Sequence, residues 1–463
     1  MDMRLKWTEI IKRLSSIKNI IILGCGFMVI FLSFYCTSIA SEIILEKSED
    51  GNFDGLGYLG LSIMSLTMGI FSLIVPYLSN FISIKLGLLS GSISILIYIA
   101  SFISPLQWTI CLSSALVGCG TAILMTLHGV YISKFSQPSA VYRNFSIFNV
   151  LFDLNHLFGG VIHILILSQL DDIDSNNRIY IMIPYVVISF FGCVFFLFLK
   201  DVPKEKNEPS KSFLKCFHEC LRDGKECFKS PYYYAVFAML IYLSELFPFL
   251  LHLPSSKGCQ LAMFEGILAT SLSHVERFGN SAKYMAGLVN LIAGAGSLIV
   301  SGLCSIASKV GMRLGLLASF LSEIIYVITM MISIPEQAPI EQTKDLALDL
   351  FDPNIYLAMI CVFLNGTAVS IWTIRIYALT YEIFGENENR ITFGYAFIQT
   401  FECAIGTVIF YFGEALPITS YYMIFLVTGL ICNLAYYISK RELQNKIHNL
   451  PLNETELEIT PYF

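Results

Sequence analysis

The feature that most constrains this chain is a series of long apolar segments that recurs along its length. About 20 apolar residues cross the ~30 Å hydrocarbon core of a bilayer, and eleven runs reach or approach that length. Only 14% of the residues are charged and 55% are hydrophobic, whereas soluble domains hold about 25% charged residues. The sequence therefore predicts an all-α membrane protein. The eleven runs are 20–41, 56–80, 86–104, 107–133, 144–168, 179–199, 284–307, 312–334, 354–377, 391–412 and 416–438.

The region 231–276 supplies more apolar sequence than one crossing needs. A single helix over this region would be about 65 Å long, roughly twice the bilayer, and Pro248 and Pro254 favour a break. With twelve crossings and both termini in the cytosol, 22 of the 29 Lys and Arg lie inside and 6 outside, in agreement with the positive-inside rule. The region should therefore cross once, and which of its halves crosses stays open.

This topology divides the chain into two membrane halves joined by a basic segment. Its parts are a cytoplasmic N-terminal segment 1–19, a first six-helix half 20–199, a cytoplasmic linker 200–230, a second six-helix half 231–438 and a cytoplasmic tail 439–463. We expect the basic linker to lie near anionic lipid and not to bind nucleic acid. The expected location is the plasma membrane or an endomembrane.

Short motifs recur in the same order in the two halves. Two parallel repeats of this kind are the layout of the major facilitator superfamily, so the sequence predicts a facilitator-type bundle of about 12 transmembrane helices. An offset of 246 residues pairs Asp153 with Gln399 and His156 with Glu402. The recurring motifs are SLIV at 72–75 and 297–300, LGLL at 86–89 and 314–317, and GTA at 120–122 and 366–368.

The fifth run carries polar residues in its middle. At 100° per residue, Asn149, Asp153, His156 and His163 fall within a stripe of about 80°. An ionised group that faces lipid costs at least about 2.5 kcal/mol, so the stripe should face the bundle interior or a wet cavity. The equivalent stripe in the second half consists of Tyr395, Gln399 and Glu402. The two stripes together are the candidate ion or substrate site.

Two interpretations of these stripes stay open. Asp153 and His156 are three residues apart on one helix, and a histidine beside a carboxylate suits a proton relay. Alternatively, a neutral Asp153 only joins helices by hydrogen bonds to Asn149 and His156. Secondary candidates are His128, which is expected to pack or to form a hydrogen bond, Arg375, which can extend to the inner interface, and Glu323, which can pair with Arg375.

The sequence gives no reason to expect an enzyme. It holds no phosphate loop, dinucleotide glycine pattern or nucleophile elbow, so no cofactor is expected. Cys216, Cys220 and Cys227 surround His218, but no tight Cys-x-x-Cys pair is present, and no metal site is expected.

Most of the chain resembles the Unc-ninety-three-like proteins. The resemblance is carried by GYLGLSIMSLTMGIFSLIVPYLSNFISIKLG, RNFSIFNVLFDLNHLFGG and the segment from FLNGTAVSIWTIRIYALTYEIFG to FECAI, and it extends from about Gly57 to Ile438. It implies a fold similar to that of major facilitator transporters. It also implies a role like that of the founding members, which are described as regulatory subunits of potassium channels, or of others described as receptor trafficking partners.

The chain departs from that family at several polar positions. Met125, His128 and Val130 replace the Trp, Gln and Asn of the fourth-span motif. Asn149, Asp153 and Asn155 replace Trp, Gln and Ser in the fifth, and Val369, Thr373 and Arg375 replace Asp, Asn and Gln in the tenth. The Gly-x-x-x-Asp-Arg loop of facilitator transporters is reduced to PYLSNFISIKLG.

Two functions follow from these observations. The resemblance and the degraded loop favour a non-transporting regulatory protein of a potassium or other ion channel, or a trafficking partner. The acids within the spans favour the alternative, a secondary transporter of a small solute by alternating access, with proton coupling as one option.

Overall fold

The computed structural model describes most of both halves. The described residues are 2–46, 56–168, 175–201, 268–306, 321–322, 324–339, 341–384, 388–411 and 417–420. The predicted linker from 202 onward, the apolar segment 231–267, the residues 421–438 and the predicted tail lie outside them. The predicted boundaries of the halves therefore stay predictions.

The described chain is built from α-helices, because a helix satisfies its own backbone hydrogen bonds in lipid. In the first half they are α1 (Asp2–Glu46), α2 (Leu56–Ser72), α3 (Val75–Leu78), α4 (Ile84–Ser101), α5 (Gln107–Phe135), α6 (Val141–Ser168) and α7 (Ser175–Leu197). In the second half they are α8 (Leu268–His274), α9 (Met285–Ile306), α10 (Ile324–Ser333), α11 (Ile355–Phe384) and α12 (Glu388–Tyr411).

The second apolar run is shorter as a helix than its sequence predicts. The predicted span 56–80 ends as α2 at Ser72, and a turn separates it from the four-residue helix α3. Pro76 lies in the first turn of α3, where its missing N–H costs no helical hydrogen bond. The next helix, α4, begins after Ser83, whose hydroxyl accepts a hydrogen bond from the Leu86 N–H at 3.3 Å.

Large apolar side chains cover the outside of the bundle. Trp108 is 66% exposed, Phe198 71% and Ile306 85%. Six of the described helices are long and apolar enough to cross a membrane, and three shorter ones are also apolar. A soluble protein rarely exposes so much apolar surface, and lipid tails are the solvent that suits it.

The helices pack within each half and then across a seam between the halves. In the first half α1 packs against α6 and α7, and α5 packs against α2 and α4. In the second half α11 packs against α9 and α12. Across the seam α6 contacts α9, while α12 contacts α2 and α5. Residues of both halves therefore meet in the middle of the bundle.

Candidate functional site

A cavity of about 130 Å³ lies between the two halves. Side chains of α1, α2, α5 and α6 form one wall, and side chains of α9, α11 and α12 form the other. Because one water molecule needs about 10–15 Å³ measured in this way, the cavity has room for roughly ten non-hydrogen atoms or waters.

Most of the predicted site residues line this cavity. Five of the seven primary candidates and one secondary candidate, His128, contribute to its wall. The α6 and α12 stripes, which the repeat offset paired, thus meet at one place. The five primary residues in the wall are Asn149, Asp153, His156, Gln399 and Glu402.

Asp153 forms hydrogen bonds with the opposite half. It is 6% exposed, and its Oδ2 accepts from Ser301 Oγ of α9 at 2.6 Å and from Ser370 Oγ of α11 at 3.5 Å. The two serine hydroxyls are themselves 2.6 Å apart. One carboxyl group of α6 is therefore bound to two helices of the second half.

His156 also reaches across the seam. Its Nδ1–H donates to Asn290 Oδ1 of α9 at 2.8 Å, and its ring centroid lies 4.7 Å from that of Tyr35. The imidazole is 7% exposed. The histidine therefore fixes α6 against both α1 and α9 beside the cavity.

Two buried amides face the cavity with hydrogen-bonding capacity to spare. Asn149 is 5% exposed and has no hydrogen-bond partner among the described residues. Gln399 is 3% exposed, and within the same part of the chain its Nε2 meets only the sulfurs of Met68 and Cys403, at 3.9 and 3.4 Å. Sulfur is a weak acceptor, so both amides can bind a solute.

Glu402 brings a second carboxyl group to the cavity from the opposite half. It lies on α12 and is 5% exposed. Of the other secondary candidates, Glu323 lies outside the described residues, and only the backbone of Arg375, within α11, is described.

The wall from the first half is largely aromatic. The rings of Phe148 and Phe152 stack at 5.9 Å with an angle of 8°, and His128 stacks on Phe148 at 4.8 Å. On α1 the rings of Phe27 and Phe31 also stack, with their centroids 5.5 Å apart. The opposite wall consists mainly of small and polar side chains. It includes Ala293, Ser297, Asn365, Gly366, Ser370, Thr373, Gln399, Glu402, Cys403 and Gly406.

Hydrogen bonds link the two halves at the predicted cytoplasmic end of the cavity. Tyr395 of α12 is fully buried, and its hydroxyl lies 2.9 Å from Ser133 Oγ of α5. The same hydroxyl donates to the Tyr377 carbonyl at 3.3 Å, and the Tyr377 hydroxyl donates to the Met125 carbonyl at 3.3 Å. Tyr395, a predicted site residue, thus belongs to this link between the halves and not to the cavity wall.

The opposite end is also bridged. Tyr58 of α2 donates from its hydroxyl to Thr270 Oγ1 of α8 at 2.8 Å. His163, the remaining predicted site residue, is 4% exposed, and its Nδ1 lies 3.3 Å from the Tyr185 hydroxyl of α7 within the first half. It is therefore a packing contact of α6 and not part of the cavity wall.

Besides Ser370 of α11, sequence reasoning missed three polar residues on α9. Asn290, Ser297 and Ser301 bond to His156, to the Gly366 carbonyl and to Asp153, respectively. At 100° per residue these three positions fall within about 40° of one another. The same periodicity test that found the α6 stripe could have found this one, but uncharged polar residues drew less attention than acids.

Comparisons with known proteins identify the family. The model of the family described as ion channel regulatory protein UNC-93 matches residues 53–437. The chain belongs to the UNC-93 family. This confirms the resemblance that the segments between Gly57 and Ile438 predicted.

Relatives cover nearly the whole chain. The UNC93-like protein MFSD11 of Xenopus laevis is 24% identical over 450 residues, which are 93% of this UNC-93 family chain and 98% of the frog protein. The protein of the same name from Xenopus tropicalis is 24% identical over 439 residues, 90% of this chain and 95% of its own. The match therefore extends over both halves.

Solved structures show the fold of this UNC-93 family member. The E. coli fucose:proton symporter FucP superposes with a TM-score of 0.62 at 14% identity, over 92% of this chain and 99% of its own. The human organic anion transporter MFSD10 (TETRAN) superposes with a TM-score of 0.60 at 12% identity, over 91% and 99%. The protein has the fold of the major facilitator superfamily, as its repeats predicted.

Proposed function

We propose that this UNC-93 family protein is a secondary transporter that moves a small solute by alternating access. The observation that carries the proposal is the buried cavity between the halves, with Asp153 from the first half and Glu402 from the second in its wall. Intramembrane acids are costly and are typically functional. Facilitator folds bind solutes near the bilayer midplane, between their two repeats.

Hydrogen bonds between the halves at both ends of the cavity support the same mechanism. Ser133–Tyr395 joins the halves at one end and Tyr58–Thr270 joins them at the other. A neutral hydrogen bond contributes about 0.5–1.5 kcal/mol net. Rocking of the two halves can therefore break the bonds at one end while it keeps those at the other.

A labelling experiment tests alternating access without knowledge of the solute. Thr373 lines the cavity, and its hydroxyl bonds to the Val369 carbonyl of its own helix at 2.8 Å, so Thr373→Cys is a mild change. In oriented vesicles we expect a membrane-impermeant thiol reagent to modify this cysteine from either face. Mass spectrometry of the peptide separates the label from that on native cysteines.

Two surface positions serve as controls for the labelling and for the orientation. Asn80 and Glu341 are exposed, and the proposed orientation, with both termini in the cytosol, places them on opposite faces. Asn80→Cys should react only from the cytoplasmic face and Glu341→Cys only from the other. Modification of Thr373→Cys from a single face under every condition would contradict alternating access.

The second candidate is an accessory role for an ion channel. It is favoured by the description of the matching family as ion channel regulatory proteins. Co-expression with a potassium channel tests it, because an accessory protein changes the whole-cell current. A transporter gives no change in channel current.

A further inference from the structure

The proposed transport leaves the class of solute open, and the hydrogen bonds of the cavity wall narrow it. Several polar side chains in the wall already have partners within the protein. Asp153 accepts from two serines, and Ser297 donates to the Gly366 carbonyl at 2.8 Å. Glu402 also interacts with another group of the protein. The burial of these groups therefore requires no hydrogen bond from a solute.

Two buried amides in the wall differ from these groups. Asn149 is 5% exposed and forms no hydrogen bond with a described residue. Gln399 is 3% exposed, and its carbonyl oxygen accepts no hydrogen bond from that part of the chain either. Buried polar atoms in folded proteins are nearly always paired, because an unpaired one is costly. These amides are therefore left for a molecule in the cavity to satisfy.

The two amides offer a definite set of donors and acceptors. The carbonyl oxygens of Asn149 and Gln399 accept hydrogen bonds, and the Asn149 NH2 group donates. A primary carboxamide is the complement of this set, because its nitrogen donates two N–H bonds and its oxygen accepts. A carboxylate has no donor, an ammonium group has no acceptor, and a hydroxyl group donates one bond only. None of these three groups can satisfy both amides.

The aromatic side of the wall accounts for the rest of the solute. Phe148 and Phe152 line the cavity on the same helix as Asn149, and their rings are stacked. Aromatic faces pack well against flat apolar bodies. The volume of about 130 Å³ limits the solute to roughly ten non-hydrogen atoms. A carboxamide on one small ring has that size and shape.

From these contacts we infer that the cavity binds a compact solute with a primary carboxamide group. The amides of Asn149 and Gln399 hold this group, and the flat apolar body of the solute lies against Phe148 and Phe152. For its physiological role the inference rests on the proposed transport function. Binding itself can be measured independently of transport.

Three uncharged probes separate the parts of the solute. Benzamide carries the carboxamide and the ring, acetophenone has a methyl group in place of the NH2 of benzamide, and acetamide lacks the ring. In calorimetric titrations of the purified full-length protein in detergent, benzamide should bind at least roughly tenfold more tightly than either of the others. Acetophenone leaves buried acceptors unpaired, and acetamide makes no contact with the rings. This ranking is read on the unmodified protein, so it does not depend on whether a variant folds.

A variant locates the site. Gln399→Leu removes one acceptor of the carboxamide N–H, so it should weaken benzamide binding roughly fivefold to tenfold. Acetophenone has no donor, and its affinity should stay within about twofold. Gln342→Leu is the same substitution on an exposed residue outside the cavity, and it should change neither affinity.

Three results would each overturn the inference. They are equal affinities for benzamide and acetophenone, no binding of benzamide, and unchanged benzamide binding by Gln399→Leu. The first two need no variant, and the third shows that binding occurs elsewhere.

The outcome separates this inference from the proposed function. Preferential binding of benzamide with Thr373→Cys labelled from a single face would leave the carboxamide site and remove the transporter. Labelling from both faces with equal binding of benzamide and acetophenone would leave the transporter and remove the carboxamide site. Preferential binding of benzamide together with labelling from both faces supports both.

Discussion

At the scale of single residues, Asp153 shows how the cavity is held in shape. Its two hydrogen bonds come from Ser301 and Ser370 on the opposite half. His156 bonds in the same direction, to Asn290. Asp153 and His156, for which one interpretation was that they join helices, thus join the two halves of the protein. Their substitution should therefore affect stability as well as binding.

Asn290 provides the test of that point. Asn290→Ala removes the acceptor of the buried His156 Nδ1–H. A hydrogen bond contributes about 0.5–1.5 kcal/mol net, so we expect a lower free energy of unfolding and a lower melting temperature than those of the wild type. Thermal unfolding of the purified protein in detergent measures the difference.

The matched control is Asn80→Ala, the same substitution on an exposed residue. The Asn80 amide donates to the Pro76 carbonyl at 3.1 Å within a turn near the surface, where water can replace it. Its melting temperature should stay close to that of the wild type. Equal melting temperatures for the two variants would show that the His156–Asn290 bond contributes nothing to folding.

The sequence made some of these residues predictable and left others hidden. Asp153 and Glu402 were found because charged residues are rare within membrane spans. Ser301 was not, because serine is common there and usually bonds to its own helix, as Ser305 does to the Gly302 carbonyl at 2.7 Å. The sequence around Ser301 and Ser305 does not distinguish the two serines. The packing of α9 on α6 does, because it brings Ser301 to Asp153.

At the scale of helices, α6 and α9 approach each other at glycines. A Cβ placed on Gly160 would lie 2.6 Å from the Leu291 N and 2.7 Å from the Gly287 carbonyl oxygen. A Cβ on Gly294 would lie 2.6 Å from that of His156. Small residues of this kind let membrane helices pack at the backbone, and here they do so across the seam.

Gly160→Ala should therefore disturb the seam. The added methyl group would strike backbone atoms of α9, and overpacking of this kind costs about 1–3 kcal/mol. We expect a lower melting temperature and faster thiol modification of the buried Cys36, whose Sγ contacts the Gly159 carbonyl at 3.4 Å.

Gly302→Ala makes the same change on α9, where no atom of the described residues lies within 4 Å of the new Cβ. Alanine favours a helix over glycine by about 1 kcal/mol, so this variant should be as stable as the wild type or slightly more stable. If Gly160→Ala proves equally harmless, the close approach of α6 and α9 is not a constraint on the fold.

Helix boundaries were predictable where the apolar run is uninterrupted. The run 107–133 became α5 (Gln107–Phe135), with the start at the predicted residue. The run 56–80 did not stay whole, because Pro76 restarts the chain after the turn at Leu73 and Ile74. A hydropathy profile averages over the residues around Pro76, so it does not show the interruption that the structure has there.

At the scale of the molecule, the two halves meet along a second seam between α2 and α12. A Cβ on Gly69 would lie 3.2 Å from that of Cys403, and Thr400 Oγ1 donates to the Gly69 carbonyl at 3.0 Å. Disulfides join Cβ atoms about 3.5–4.5 Å apart, so a shift of a few tenths of an ångström between α2 and α12 would bring this pair into range. The native cysteine thus lies where a single substitution could join the halves covalently.

Gly69→Cys should form a disulfide with Cys403 under mild oxidation. After cleavage at a protease site inserted in the predicted linker 200–230, the halves should stay together on a gel until a reductant is added. The disulfide should also prevent the thiol reagent from modifying Thr373→Cys from one of the two membrane faces. Gly302→Cys, whose Cβ meets no described residue within 4 Å, should not cross-link to the other half.

The overall architecture could be predicted because two strong constraints, hydropathy and repetition, agree on it. The aromatic wall could not, because the chain holds 36 phenylalanines, and others such as Phe158, Phe190 and Phe198 lie exposed on the outside of the bundle. Which rings turn inward is set by contacts among helices far apart in sequence. The asymmetry between an aromatic and a polar wall is therefore a property of the assembled halves.

One consequence concerns the pair α6 and α9, which holds both the glycine contact and the bond from Ser301 to Asp153. Gly160 and Asp153 are about 10 Å apart along α6. The two helices are therefore held by a close backbone contact at Gly160 and by a hydrogen bond that can be exchanged at Asp153. Under the proposed transport function, a solute that competes with Ser301 for the carboxyl group would break this hydrogen bond and leave the glycine contact in place. Binding in the cavity would then favour rotation of one half against the other about that contact.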